Sequence, residues 1–133
     1  MTARLPVLLD TSAVIDLERL DLREHASSTA AISAVTLAEL AYGLATDDPV
    51  RLAERVERYH VTQHQFVVLA FGVAEAKMYG TAAALVRQHG RNPRPRRMDL
   101  QIAATAAVHR MPLLTRNPKD FAGLERLLTV AEV

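Results

Sequence analysis

The chain of 133 residues has no cysteine, no tryptophan, and only three phenylalanines and three tyrosines. Without cysteine, disulfide bonds and thiolate metal sites are excluded. No apolar run approaches the roughly 20 residues that span a bilayer, and residues 1–6 lack the apolar region of a signal peptide. With half of its residues hydrophobic, the chain is predicted to form one globular domain over residues 1–133, without a membrane partner and located in the cytoplasm.

The charges nearly balance, but they are unevenly distributed. Sixteen basic and fifteen acidic residues give a net charge of +1, which by itself predicts nothing about nucleic acid. The segment 87–97 holds five arginines and no acid, and two prolines within it predict an exposed basic loop over 90–97. Such a loop is either simply solvated or contacts phosphate groups.

Short apolar segments alternate with segments of helical periodicity along the chain. Strands are predicted at 7–9, 31–35, 66–69 (or an extended connector), 113–114 and 127–130. Helices are predicted after Asp10, from Thr36, over 49–59, 73–89 and 100–110, with a short turn at Pro118. This alternation predicts an α/β fold, a three-layer α/β/α sandwich with a mostly parallel central sheet.

Polar or acidic groups follow the predicted strands or begin the predicted helices at four places: Asp10, Glu39, Asp99, and the cluster of Thr115, Asn117 and Asp120. In a parallel sheet these points converge on one edge. Carboxylates 4 Å apart would repel by roughly 4 kcal/mol per pair at an effective dielectric of 20. They would therefore take up protons or hold a cation. Oxygen ligands without cysteine suit Mg²⁺ or Mn²⁺.

Each of these groups also has a structural interpretation. Asp10 could be only the N-cap of the following helix, and the segment 36–39 has the pattern of a capping box. Asp99 suits the first turn of a helix, and Asn117 suits a turn before proline. Two histidines at helical spacing are interpreted as a solvated helix end rather than a metal site: His60 and His64.

Taken together, four segments form one pattern in order and spacing: 10–13 (DTSA), 39–43 (ELAYG), 99–106 (DLQIAATA) and 113–121 (LLTRNPKDF). This pattern resembles the PIN-domain ribonucleases, and specifically the VapC-like toxins of bacterial toxin–antitoxin pairs. The resemblance covers nearly the whole chain. It implies a PIN-like fold and an acidic pocket that holds Mg²⁺ or Mn²⁺ and cleaves RNA.

The resemblance also assigns roles to particular residues. Asp10, Glu39 and Asp99 match the core carboxylates, with Asp10 and Asp99 as metal ligands. The fourth catalytic position, often acidic in the wider family, is Asn117 here, and Asp120 could partly replace the missing charge. Supporting hydrogen bonds are expected from Thr11, Ser12 and Thr115. Phosphate-binding candidates flank the pocket in sequence: Arg94, Arg96, Arg97, Arg116 and Lys119.

The function implied by the resemblance is a metal-dependent endoribonuclease toxin. Few aromatic residues are available for stacking, so a structured RNA such as tRNA or rRNA is the expected substrate. The expected partners are a cognate antitoxin and a second copy of the chain, in a homodimer or a hetero-oligomer with antitoxin. A non-catalytic PIN-like module that binds RNA or protein is the main alternative, favoured only by Asn117.

Three other classes of protein fit the sequence less well. A receiver domain needs paired acids after its first strand and a later lysine at a strand end, and residues 115–117 do not provide that lysine. A phosphatase of the haloacid dehalogenase type needs aspartate at position 12, which is serine. A flap nuclease usually carries a helical arch that this chain is too short to hold.

Overall fold

The computed structural model describes residues 6–133 and is built around a five-stranded sheet. All strand pairs are parallel, in the order β3-β2-β1-β4-β5. The strands are β1 (Val7–Leu9), β2 (Ala30–Ser33), β3 (Val67–Leu69), β4 (Leu113–Thr115) and β5 (Val130–Glu132). The predicted α/β sandwich with a parallel sheet is thereby confirmed. Residues 1–5 lie outside the described residues. They are part of the segment 1–6, which is predicted to lack the apolar region of a signal peptide.

Five α-helices connect or follow the strands: α1 (Thr11–Ile15), α2 (Ala34–Tyr42), α3 (Pro49–Gln65), α4 (Val73–Gln88) and α5 (Arg97–His109). Four short 3₁₀ turns complete the described chain, at Leu17–Arg19, Arg23–His25, Arg94–Arg96 and Pro118–Phe121. None of the helices in the described part is long and apolar enough to cross a membrane.

Alternate residues of the central strand β1 face two separate apolar cores. Leu8 packs in one core with Leu100 and Ile102 of α5, whereas Leu9 packs in the other with Leu40 of α2. Both faces of the sheet are therefore covered, which explains why these strands are continuously apolar.

The strand order places a topological switch point between β1 and β4. From β1 the chain adds β2 and β3 on one side, and it then returns to add β4 and β5 on the other. In open parallel sheets, ligands bind beside the carboxyl ends of the strands at such a point. Asp10 follows β1 and Thr115 ends β4, so both lie there.

The predicted boundary between β2 and α2 is wrong. The strand ends at Ser33, and the helix begins at Ala34 rather than at Thr36. Ser33 Oγ accepts a hydrogen bond of 3.0 Å from the Val35 backbone N–H, so Ser33 is the N-cap. The capping box proposed for Thr36 and Glu39 is therefore absent, because Thr36 lies inside the helix and its side chain is fully buried.

Helix α3 begins where the sequence predicts but ends later. Asp48 Oδ1 accepts hydrogen bonds from the backbone N–H groups of Val50 and Arg51, and Pro49 occupies the first turn. The helix continues to Gln65, beyond the predicted end near Tyr59. Residues 60–65 are polar and exposed apart from the exposed Val61 and the buried Thr62, so apolar periodicity did not reveal these last turns.

Two further boundaries differ from prediction. Helix α5 begins at Arg97, and a 3₁₀ turn occupies Arg94–Arg96, so the basic segment over 90–97 is only partly a loop. The last strand is β5 at Val130–Glu132 rather than 127–130. Leu127 and Leu128 pack as partly buried residues against the core, which accounts for their apolar character without a strand.

Candidate active site

Asp10 is the most constrained acid at the switch point. Asp10 is only 4% exposed. Its Oδ1 accepts hydrogen bonds from Ser12 Oγ at 2.7 Å and from the Ala13 backbone N–H at 2.9 Å. Oδ2 accepts from Thr115 Oγ1 at 2.6 Å. Asp10 is thus the N-cap of α1, as the structural interpretation predicted. Because a carboxylate has about four lone-pair sites, three bonds leave one site on Oδ2 for a further ligand.

Ser12 and Thr115 connect the ends of β1 and β4. Ser12 Oγ accepts from the Arg116 backbone N–H at 3.2 Å, and Thr115 Oγ1 accepts from the Asn117 backbone N–H at 2.9 Å. Thr115 is fully buried. Both hydroxyls therefore orient Asp10 while fixing the start of the segment that carries Asn117.

Glu39 is held by the hydroxyl of Thr11, which also contacts the hydroxyl of Thr36. Thr11 Oγ1 donates to Glu39 Oε1 at 2.7 Å and lies 3.1 Å from Thr36 Oγ1. Thr36 is fully buried on α2, one helical turn before Glu39. The sequence pattern predicted only a capping role for Thr36. Its contact with Thr11 joins residues 25 positions apart in the chain.

Asp99 lies in the first turn of α5, where burial and the negative charges of the other acids change its pKa. Burial is the largest cause that raises its pKa, to about 6, and the negative charges of Asp120, Glu39 and Asp10 raise it further. The guanidinium of Arg96 acts in the opposite direction. The fold therefore brings the four acids into electrostatic contact, although they are far apart in sequence.

Arg96 lies between two of these acids. Its Nη1 is 2.6 Å from Asp120 Oδ1 and 3.8 Å from Asp99 Oδ2. Both carboxylates are about three-quarters buried. Arg96 was predicted to hold phosphate, and in this structure its cationic group is instead paired with acids of the cluster.

The remaining predicted cations separate into different environments. Arg116 Nη1 donates to the Val133 carbonyl at 3.0 Å, and its Nε lies 3.5 Å from Asp16 Oδ2. These contacts connect α1 and β5 to the end of β4, so the side chain has a structural role. Arg94, Arg97 and Lys119 are exposed.

The acids suit a hard divalent cation by donor chemistry and charge. They offer oxygen ligands, which Mg²⁺ and Mn²⁺ prefer, and their repulsion is relieved by added positive charge. Within residues 6–133, however, no three Asp, Glu or His side chains already converge closely enough to hold a metal ion. His60 and His64 are exposed on α3, as the solvated interpretation predicted. The assignment of particular ligands stays a prediction.

Replacing Thr115 with valine tests the hydroxyl contacts. Valine keeps the shape but removes the donor to Asp10 and the acceptor for the Asn117 backbone N–H. We expect the free energy of unfolding to fall by about 1–3 kcal/mol in urea denaturation, because a buried polar group loses its partner. Thr115→Ser keeps the hydroxyl and should therefore retain most of the free energy of unfolding that Thr115→Val loses. Equal losses in Thr115→Val and in the exposed control Thr129→Val would contradict this role.

Comparisons with known proteins identify the family to which the chain belongs. Residues 7–127 match the family model of the PIN domain. The ribonuclease VapC of Rickettsia bellii is 31% identical over 125 residues, which cover 91% of this chain and 92% of that protein. The chain therefore belongs to the PIN-domain family, in its VapC-like group.

Solved structures extend the similarity to the fold. A chain of a VapBC toxin–antitoxin system from Mycobacterium tuberculosis matches with a TM-score of 0.78 and 31% identity, over 96% of this chain and 97% of that one. A chain of a toxin–antitoxin complex from Klebsiella pneumoniae matches with a TM-score of 0.65 and 27% identity, over 96% and 99%.

Proposed function

We propose that this protein is a metal-dependent endoribonuclease and the toxin of a toxin–antitoxin pair. The observation that carries the proposal is the convergence of acids at the switch point of the sheet, where Asp10, Glu39 and Asp120 lie near enough to Asp99 for their charges to raise its pKa. A group of acids that raises the pKa of one member is typical of a functional site. The ribonuclease VapC that is 31% identical to the chain supports RNA as the substrate.

The proposed metal is Mg²⁺, with Mn²⁺ as a substitute, held by Asp10 and Asp99. When bound, such a cation supplies charge stabilisation at a phosphodiester and lowers the pKa of an attacking water. Asp10 would bind the cation through the remaining lone pair of Oδ2, in an orientation that its hydrogen bonds with Ser12 and Thr115 set. Asp99 would bind as the ionised carboxylate, which becomes the main form above pH 6.

Glu39 is the proposed group that accepts the proton of the attacking water. Its Oε1 is occupied by the Thr11 hydroxyl, whereas no hydrogen bond from the described residues reaches Oε2. The carboxylate is therefore oriented by one oxygen and can accept a proton at the other. Asn117 completes the proposed catalytic set as a neutral group, and Asp120 supplies additional negative charge.

The proposed substrate is a structured RNA, such as tRNA or rRNA, and the proposed protein partner is an antitoxin. The solved relatives from M. tuberculosis and K. pneumoniae are toxin–antitoxin assemblies, which supports such a partner here. The chain is proposed to act in the cytoplasm, as one domain over residues 1–133 that forms a homodimer or a hetero-oligomer with its antitoxin.

A non-catalytic RNA- or protein-binding module is the second candidate. It is favoured by the neutral Asn117 at a position that is often acidic in the family. The Asn117 side chain is exposed and makes no hydrogen bond within the described residues. The two candidates differ in whether RNA is cut or only bound.

Incubation of purified, antitoxin-free protein with total cellular RNA tests the proposal. With Mg²⁺ we expect a few discrete fragments, whose ends identify the target. With EDTA we expect none, because the acids then hold no cation to stabilise the charge that develops at the cleaved phosphodiester. Intact RNA that is nevertheless bound in Mg²⁺ and in Mn²⁺ would contradict the nuclease and favour the binding module.

A further inference from the structure

A basic pocket lies outside the acidic cluster, between α4 and the start of α5. One wall consists of Tyr79, Ala83 and Arg87, which are four residues apart and share one face of α4. The opposite wall consists of Pro93, Arg94 and Arg97. The pocket has a volume of about 500 Å³, within the range of small-ligand sites.

The three arginines of this pocket are not neutralised. No acid lines the pocket, and across residues 6–133 none of the three side chains forms an ion pair or a hydrogen bond. By contrast, Arg96 and Arg116 are paired with carboxylates. Arg96 and Arg116 therefore form ion pairs within the protein, whereas the three arginines of the pocket are available to bind an external anion.

The pocket also has an apolar part that an anion alone does not need. Tyr79 is half-buried and packs by one side against the core, and Ala83 and the buried Pro93 lie beside it. An aromatic ring beside several guanidinium groups suits a ligand with both a flat ring and a phosphate. A nucleotide has this combination, whereas the carboxylates of an acidic peptide have no ring to stack.

We propose that this pocket binds one unpaired nucleotide of the substrate RNA. Its phosphate would contact Arg87, Arg94 and Arg97, and its base would stack on Tyr79. The proposal rests on the proposed function for RNA as the ligand. Arg97 and Asp99 are two residues apart on α5, so their side chains project from different faces of the helix, and the pocket is a contact site separate from the acidic cluster. Arg87 is an addition to the phosphate-binding candidates that the sequence suggested, and Tyr79 is added as a base-stacking residue.

The test is direct binding without cleavage. A fluorescein-labelled ten-nucleotide single-stranded RNA of mixed sequence is titrated with Asp10→Asn protein in EDTA, at several salt concentrations, by fluorescence anisotropy. Arg87→Gln should weaken binding about tenfold and reduce the slope of log K against log salt by about 0.7, the value for one lost phosphate contact. The control Arg126→Gln, an exposed arginine outside the pocket, should change neither quantity.

The tyrosine variants separate stacking from charge. Tyr79→Leu keeps apolar volume against the core, and it should weaken binding roughly tenfold with an unchanged salt slope, because stacking carries no net charge. Tyr79→Phe should bind like the unsubstituted protein. Thermal unfolding of each variant establishes that the fold is retained.

Two results would overturn the inference. In one, Arg87→Gln behaves like Arg126→Gln, or Tyr79→Leu binds RNA as tightly as Tyr79→Phe. In the other, a ten-residue polyglutamate binds through Arg87 and the RNA does not, which would assign the pocket to an acidic protein segment. Failure of the nuclease is distinguishable, because RNA binding that depends on Tyr79 and Arg87 without any Mg²⁺-dependent cleavage supports the pocket and rejects the enzyme.

Discussion

Asp10→Asn is expected to abolish RNA cleavage while leaving the fold intact. Loss of an outer hydrogen-bond partner of a metal ligand typically costs about 10–100-fold in affinity or activity, and loss of the charged ligand itself should exceed this. Asparagine is as good an N-cap as aspartate, so its side-chain oxygen can still accept from Ser12 and the Ala13 backbone N–H. Cleavage of the mapped RNA in Mg²⁺, with circular dichroism of the same sample, measures both effects.

The matched control for this variant is Asp21→Asn. Asp21 is an exposed aspartate whose only side-chain contact within the described residues is with Arg23. It should cleave RNA at the original rate. Cleavage by Asp10→Asn at a rate near that of Asp21→Asn would show that the carboxylate of Asp10 does not take part in the reaction.

The second large effect is expected from Asp99→Asn, which should raise the stability of the fold at neutral pH and abolish RNA cleavage. In the folded chain the pKa of Asp99 is raised to about 6, from 3.8. Between these values the folded state binds more protons than the unfolded state. Stability contributed by this group is therefore present at low pH and is lost as pH rises from about 4 to 6. A shift of this size corresponds to about 3 kcal/mol, which solvent screening at the partly exposed side chain reduces to on the order of 2 kcal/mol.

Asparagine removes the charge that is unfavourable at neutral pH. In EDTA, we expect the unfolding free energy of Asp99→Asn to exceed that of the unsubstituted protein by on the order of 2 kcal/mol at pH 7.5. The difference should shrink as pH falls toward 4, where both side chains are neutral. Urea denaturation at pH 4.5, 5.5, 6.5 and 7.5 measures this, and a difference independent of pH would refute the electrostatic origin.

The same variant should be unable to cleave RNA, because a neutral amide replaces one of the two proposed metal ligands. A more stable but inactive protein is the signature of a site in which like charges are held together for function. If Asp99→Asn cleaves RNA as efficiently as the unsubstituted protein, Asp99 is only the first-turn acid of α5, as its structural interpretation predicted.

The sequence predicted the position of Asp10 well because the signals there are local. Three apolar residues, an acid and two hydroxyl residues specify a buried strand, its end and a helix start within the six positions 7–12. Likewise, Asp48 before Pro49 predicts the start of α3 correctly. The parallel sheet followed from alternation of such local patterns.

The contacts that the sequence could not predict are tertiary. Whether Arg96 faces solvent or Asp120 depends on how a 3₁₀ turn packs against a segment 24 residues later. The same applies to Thr11 and Thr36, which meet only because β1 and β2 are neighbours. Periodicity also placed the start of α2 too late, because a strand and a buried helix turn are equally apolar at residues 34 and 35.

The most direct test of the acidic cluster as a cation site is thermal unfolding with increasing MgCl₂ at constant ionic strength. A cation that binds only the folded chain stabilises it by about 2.7 kcal/mol at 100 times its Kd. We predict a saturable rise in the unfolding midpoint for the unsubstituted protein, and no rise for Asp10→Asn or Asp99→Asn. An unchanged midpoint in the unsubstituted protein, or the same rise in all three, would contradict the account.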